Sequence, residues 1–357
     1  MSTYTGTPVD PVREFIDWRY SARENYESIT MYVLPNHTVS LNFTQETNTA
    51  DDSYIFGLIL GDTKKDSNSE ISLYNTVFPN KHSMTFNKSR PNKKWGEVSQ
   101  LNSFEISGSL IAADVNTRND IIAAYKNEVI YISENEETKH VFDDDQVTLI
   151  KCSPENCSTA SFLCTAVNSI LYYEAPGTIP MAVHEFTRPV IDLSIDPFQP
   201  KTALVTQGKT HIHLIDQREK SAVSLKMQNL TSSIAFSPHI PFIFANGLLS
   251  GDIGIFDLRS PQAPISNIQA HDSEVTSLKW SPFRKDVIAS ASLDTSITLW
   301  SLPSVKKNGA EAVFVHNGHV SPISVFDWCK DVPWTIASVS EDNLLEIWTV
   351  APSQYEQ

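Results

Sequence analysis

Two stretches of the chain are near copies of one another. Residues 288–300 read IASASLDTSITLW and residues 336–348 read IASVSEDNLLEIW. At an offset of 48 they agree at Ile288/Ile336, Ala289/Ala337, Ser290/Ser338, Ser292/Ser340, Asp294/Asp342 and Trp300/Trp348. A histidine precedes each at one distance: His271 lies 29 residues before Trp300, and His319 lies 29 before Trp348. A fixed period constrains a chain more than composition does, because each unit buries its apolar face only against the next unit. Weaker copies end near Tyr74, Tyr131, Tyr173, Ile215 and Phe256, so seven units follow at intervals of 57, 42, 42, 41, 44 and 48.

Inside each unit, short alternating apolar runs are separated by turn signals. TSLKW, then SP, then DVIASAS, then SITLW gives three strands in quick succession, and similar turns recur at Cys152–Pro154, Asp196–Phe198 and Phe236–Pro238. Four short strands per unit, repeated seven times, predict an all-β, seven-bladed β-propeller. The His…Asp…Trp spacing makes it the WD-repeat kind. A single closed propeller of this type uses a chain of 357 residues, so the length does not require several domains. The low glycine content, 12 residues, fits the degeneracy of the upstream copies.

The first 35 residues read differently. Val12, Phe15, Ile16, Tyr20, Tyr26 and Ile29 stand near helical spacing, and Pro11 suits a first helical turn. The spacing predicts one amphipathic α-helix over 11–30, with residues 1–35 packed on a propeller formed by 36–357. TVSLNFTQ (38–45) reads as a strand that joins the last blade and closes the ring, which removes exposed sheet edges.

Composition removes whole classes of function. No run of 18 apolar residues occurs, so no membrane helix and no membrane partner are expected. The N-terminus has no basic start followed by an apolar core, so no secretory signal is expected. Four cysteines suit a reducing compartment rather than a disulfide scaffold. The formal charge of −15 argues against direct nucleic-acid binding and favours basic partners.

His271, Ser290 and Asp294 have the residue types of a nucleophilic triad. The same set recurs as His319, Ser338 and Asp342, each ending in a tryptophan, Trp300 or Trp348. Two catalytic sites one blade apart make no chemical sense. These side chains are instead expected to form hydrogen-bonded chains that pin strands and satisfy buried polar groups. The chain is therefore read as no enzyme. Cys152, Cys157 and Cys164 lack zinc spacing, and no phosphate-cradling glycine loop is present, so neither metal nor cofactor is expected. Residues 134–145 carry six acids and one lysine, and 81–94 carry five basic residues. Both are read as solvated loops, with a binding strip for a basic tail as the alternative for the first and a phosphate site for the second. Asp216-Gln217-Arg218 and Asp257-Leu258-Arg259 end two units with an Asp-x-Arg pattern that some ubiquitin-ligase adaptors use to dock.

Residues 312–357 resemble the last blade of the retinoblastoma-binding histone-chaperone family, the small WD subunit of chromatin assembly factor and of histone acetyltransferase and deacetylase complexes. Phe314-Val315-His316, Gly318-His319, Ile323-Ser324, Asp327-Trp328, Pro333-Trp334 and Ser338 to Asn343 carry the likeness, together with the preceding AHDSEVTSLKWSP and the Trp18/Tyr26 spacing. The resemblance implies a non-catalytic, nuclear and also cytoplasmic subunit of a chromatin complex, with core histones and other complex subunits as partners. It implies a side groove formed by Phe15, Trp18 and Tyr26 with a last-blade loop at 303–313. That loop carries Lys306, Lys307 and only Glu311 as an acid, so a basic histone helix would lose its charge partners there. It also implies a face site edged by Glu274, Glu341 and Asn343, in which three family acids have become Gly108, Gln146 and Ile191 and an aromatic has become Thr276. The alternative reading is an adaptor outside chromatin, either a ubiquitin-ligase substrate receptor or a cargo receptor.

Overall fold

A computed structural model describes residues 25–355 apart from 51–52, 65–67, 80–97, 107, 117, 126–127, 134–136, 142–146, 154–160, 167–168, 175–177, 179–180, 209, 220, 228 and 303–308. The described residues form seven four-stranded antiparallel sheets. The first strand, β1 (Tyr26–Val33), stands apart from its neighbours in sequence. Blade 1 is then β2 (His37–Ala50), β3 (Ser53–Thr63), β4 (Ser69–Pro79) and β5 (Val98–Ile106). Blade 2 is β6 (Leu110–Val115), β7 (Ile121–Tyr125), β8 (Glu128–Ile132) and β9 (Glu137–Val141). Blade 3 is β10 (Val147–Cys152), β11 (Phe162–Ala166), β12 (Ser169–Tyr173) and β13 (Met181–Glu185). Blade 4 is β14 (Val190–Ile195), β15 (Thr202–Gln207), β16 (His211–Asp216) and β17 (Ser221–Lys226). Blade 5 is β18 (Thr231–Phe236), β19 (Ile243–Leu248), β20 (Asp252–Asp257) and β21 (Ser266–Gln269). Blade 6 is β22 (Val275–Trp280), β23 (Val287–Ser292), β24 (Ile297–Ser301) and β25 (Glu311–His316). Blade 7 joins β26 (Ile323–Trp328), β27 (Thr335–Ser340) and β28 (Leu344–Val350) to β1.

All seven repeat markers fall on the third strand of their sheets: Tyr74, Tyr131, Tyr173, Ile215, Phe256, Trp300 and Trp348. The second strands are buried on both faces, as in VIASAS (287–292) and TIASVS (335–340). That double burial is why they read as continuous apolar and small residues rather than as alternation. The first strands contact one another in a closed circuit, β2 to β6, β10, β14, β18, β22, β26 and back to β2, and so surround the propeller axis.

Side chains of these inner strands stitch neighbouring blades. Asp114 Oδ2 accepts the Cys152 N–H (2.7 Å), Asp192 Oδ2 accepts the Ile234 N–H (2.8 Å), and Asp327 Oδ2 accepts the Phe43 N–H (3.3 Å). The indoles of Trp280 and Trp328 donate back to the Ala235 and Lys279 carbonyls of the preceding blade. Lys279 Nζ pairs with Asp327 at 2.8 Å. Burial opposes charge on the Lys151 amine, yet Asp114, Asp192 and Asp327 together raise its pKa above the usual value. Charges inside a ring this enclosed persist only because each has partners of opposite sign.

Ring closure differs from the expectation. Residues 26–30 are not the end of a helix; they belong to β1, which pairs antiparallel with β28 from Tyr26↔Val350 to Val33↔Leu344. The expected helical residues 11–24, with Phe15 and Trp18, lie outside the described residues. Residues 38–45 do not join the last blade either, because β2 is the inner strand of blade 1. Helical spacing was misleading here because β1 is covered unevenly along its length, so its burial does not follow a clean period of two. The stretch 134–145 is not one loop, since β9 runs through Glu137–Val141; the basic stretch 81–94 lies outside the described residues. Among the described residues no helix is long and apolar enough to cross a membrane.

Candidate partner-binding face

The loops that enter each first strand and those that join second to third strands share one end of the propeller. In four consecutive blades they are tied by the same backbone hydrogen bond. Gly208 N–H donates to Pro189 O (3.3 Å), Leu249 to Leu230 (3.0 Å), Leu293 to Glu274 (3.0 Å) and Glu341 to Pro322 (2.9 Å). This device builds a contiguous surface from separate blades. In blades 5 to 7 its segments are 229–231, 248–252, 270–275, 292–297, 317–323 and 340–344. They contain Asp252, Asp272, Glu274, Asp294, Glu341 and Asp342 and not one lysine or arginine. Glu341, Asp342 and Asp272 are exposed, and Glu274 is half-buried. Leu230, Leu293 and Val320 stand among them, each more than 40 % exposed. An acidic surface with exposed apolar side chains attracts a basic polypeptide by charge and offers it desolvated contacts.

The loops rest on buried polar chains. In blade 6, His271 Nδ1 meets Asp294 Oδ2 (2.8 Å), His271 Nε2 meets Ser290 Oγ (2.7 Å), and the Trp300 indole donates to Ser290 Oγ (3.0 Å). Burial would raise the Asp294 pKa, but the hydrogen bonds from His271 and Ser296 outweigh it and hold the carboxyl near 2. Blade 7 differs from this pattern. His319 Nε2 meets Ser338 Oγ (2.8 Å), as expected, but His319 Nδ1 meets Ser340 Oγ (2.8 Å). Ser340 in turn donates to Asp342, so a hydroxyl is interposed between histidine and carboxylate. Trp348 completes this chain with a 3.3 Å indole bond to Ser338.

A second polar group in blade 7 was not found in the sequence. Tyr26 Oη lies 2.7 Å from His316 Nδ1, and His316 Nε2 lies 2.8 Å from Glu346 Oε2. Burial lowers the pKa of His316 to about 3 and of His319 to about 4, so both rings are neutral at pH 7. Burial first, and then the nearby Glu346 carboxyl, raises the Tyr26 hydroxyl pKa. His316, His319 and Glu346 offer ligand atoms within 4.8 Å of one another, a donor set of the zinc type. The hydroxyls of Tyr26, Ser338 and Ser340 already occupy three of the four imidazole nitrogens, which gives the group a structural account. The sequence signal was a glutamate inside the apolar strand LLEIW.

Of the expected side-groove residues, Tyr26 is buried, not presented to a partner. It packs edge-on against Phe314, His316 and Trp348. Phe15, Trp18, Lys306 and Lys307 lie outside the described residues, and Glu311 is exposed at the start of β25. Of the stretch 303–313, residues 311–313 belong to β25 of blade 6 rather than to the last blade. Glu274, Glu341 and Asn343 do come to one end of adjacent blades. Asn343 is a left-handed turn residue (φ 65°) whose carbonyl accepts the Leu34 N–H at 2.8 Å. Thr276 spends its hydroxyl on Ala291 O (3.2 Å), Gly108 adopts φ 130°, Ile191 is half-buried in β14, and Gln146 lies outside the described residues. At the opposite end, Arg218 and Arg259 close on their own Asp216 and Asp257. The reversed pair Arg284/Asp286 does the same. The pattern serves the turn itself. Cys152 and Cys164 are free thiols whose pKa values burial raises; Cys157 lies outside the described residues.

Two similarities to known proteins bear on this surface. A model of the WD domain, G-beta repeat, matches residues 262–301. The histone acetyltransferase type B subunit 2 of Debaryomyces hansenii is 30 % identical over 135 residues, covering 33 % of this chain and 32 % of that protein. The matched part thus spans about a third of the curated relative's length. These similarities show a WD repeat at residues 262–301 and a likeness to that subunit over a third of the chain.

Proposed function

We propose that the protein is a non-catalytic scaffold subunit of a chromatin complex, found in the nucleus, that binds basic protein partners such as core histones through the acidic end of blades 5 to 7. The observation that carries this reading is the run of six acids, with no lysine or arginine, across the loops of three adjacent blades. The similarity to a histone acetyltransferase subunit supports it. The triad-like residues support a non-catalytic role, because their polar atoms are bonded to one another within each blade. Glu274 and Glu341 are the residues through which a basic segment would be held, with Leu293 and Val320 as apolar contacts. The buried Tyr26 contributes by fixing the blade behind this surface rather than by touching the partner.

The test is binding of the purified chain to core-histone tail peptides at low and high salt, compared with the Glu274→Gln/Glu341→Gln double variant. Exposed charge pairs contribute about 0.2–1 kcal/mol each, so the two losses together should weaken binding by about 2- to 30-fold at low salt. The wild-type affinity should fall with salt and approach that of the variant. Binding that is indifferent to both changes would remove the proposal.

A further inference from the structure

Blade 5 lacks the polar chain found in blades 6 and 7, and a cavity lies in its place. The spacing shows the correspondence. His271, Ser290 and Trp300 are separated by 19 and 10 residues, as are His319, Ser338 and Trp348. Met227, Asn246 and Phe256 have the same separations of 19 and 10. Methionine replaces the histidine and phenylalanine the tryptophan, so neither the imidazole nor the indole donor is present to reach the central polar residue. Met227, Asn246 and Phe256 all line a cavity of about 230 Å³.

Its floor is set by strand register. Asn246, Gly254 and Asn267 stand directly opposite one another on β19, β20 and β21. The central glycine leaves a notch between two carboxamides. A Cβ at Gly254 would lie 2.5 Å from Asn246 Oδ1 and 2.6 Å from the Phe256 ring. The absence of that one carbon therefore keeps the notch open. Asn246 is 1 % exposed, and its Nδ2 donates to Thr231 Oγ1 at 3.3 Å. Its Oδ1 has no hydrogen-bond partner among the described residues. A buried carbonyl oxygen left without a donor is destabilising, so the site is most stable when a donor enters. Asn267 is exposed at the other edge of the row, Pro264 is exposed at the rim, and no lining residue carries a charge.

We infer that this cavity is a binding site for a neutral secondary amide carried by a partner polypeptide. Such a group has one N–H, which Asn246 Oδ1 accepts, and one carbonyl, to which the Asn267 amide donates. Its apolar flank meets Met227 and Phe256. A charged group would enter without a counter-charge and is excluded by the cost of desolvation. Two sources supply this chemistry: the acylated side chain of a modified lysine, or the main chain of an extended segment. The inference does not depend on the acidic end being a histone site.

Met227 makes the test direct. The full-length protein is labelled with ¹³C at its methionine methyl groups, and the Met227 resonance is assigned with Met227→Leu. N-methylacetamide should shift that resonance in a saturable manner, while N,N-dimethylacetamide, which has no N–H, should not. Gly254→Ala should abolish the shift. Should that variant misfold, Asn267→Ala, which alters an exposed residue, should weaken it by at least severalfold with the other methionine signals unmoved. A peptide bearing acetyl-lysine that shifts Met227 where its unmodified counterpart does not identifies the modified side chain as the source; equal shifts identify the main chain. No Met227 shift with any amide, or equal shifts with both small amides, would mean that Asn246 is merely hydrated and would overturn the inference.

Discussion

Asp62 offers a quantitative check on the buried electrostatics of blade 1. It lies near the end of β3, is 1 % exposed, and accepts a 2.7 Å hydrogen bond from Thr38 Oγ1. Burial raises its pKa from 3.8 to about 6; the Thr38 bond opposes the shift and Glu70 adds to it. The folded state therefore holds a proton on Asp62 that the unfolded chain has lost between about pH 4 and pH 6. The carboxylate penalty is fully present above pH 6 and disappears as pH falls towards 4. A rise from 3.8 to about 6 corresponds to about 3 kcal/mol. Asp62→Asn removes the charge and keeps an oxygen that accepts the Thr38 hydroxyl. With an unfolding entropy of about 2 cal/mol/K per residue, the variant should melt about 4 °C higher at pH 7.5. Differential scanning calorimetry of both proteins at one scan rate measures this, and the gap should close by about pH 4. A variant no more stable than wild type at pH 7.5, or a gap unchanged between pH 7.5 and pH 4, would refute the reasoning.

Further outcomes follow from the same bonds. Tyr26→Phe keeps the aromatic contacts but leaves His316 Nδ1 without its hydroxyl, and chemical denaturation should show a loss of about 1–3 kcal/mol. Trp300→Phe, which makes blade 6 resemble blade 5 at that position, should cost a comparable amount and leave Ser290 and His271 exchanging faster in hydrogen-exchange measurements. A gain of stability from either change would count against the hydrogen-bonded chains as structural elements.

The repeated third strands were legible because tyrosine, phenylalanine or tryptophan marks most of them and the polar chain recurs at fixed spacing. The hydrogen bonds of His271 and His319 to Ser290 and Ser338 follow from that recurrence. Three features were hidden. The pairing of β1 depends on a strand more than 300 positions away, and local periodicity carries no information about such a partner. The stitching by Asp114, Asp192 and Asp327 joins blades whose inner strands are a full repeat apart, so each aspartate reads as an ordinary polar position. The charged character of the face is also poorly visible in the overall charge of −15, because its six acids are spread over four short segments of the chain, one or two in each. Substituted positions such as Gly108, Ile191 and Thr276 suggested a weakened surface, whereas the loops of blades 5 to 7 keep acids at other positions, Asp252 and Asp272 among them.

The latch made by β1 also determines how the ring responds to tension. Tyr26 pairs with Val350, and Val33 pairs with Leu344. The outward ends of the two strands therefore lie side by side. A pull applied through both chain termini loads the Tyr26–Val350 end first and opens the ladder one hydrogen bond at a time, rather than shearing all of them together. The propeller would thus part at a single seam, at low force, with six blades still folded, and it could reseal by the same path. A partner that grips both terminal segments would hold the circle shut, and one that draws them apart would open it.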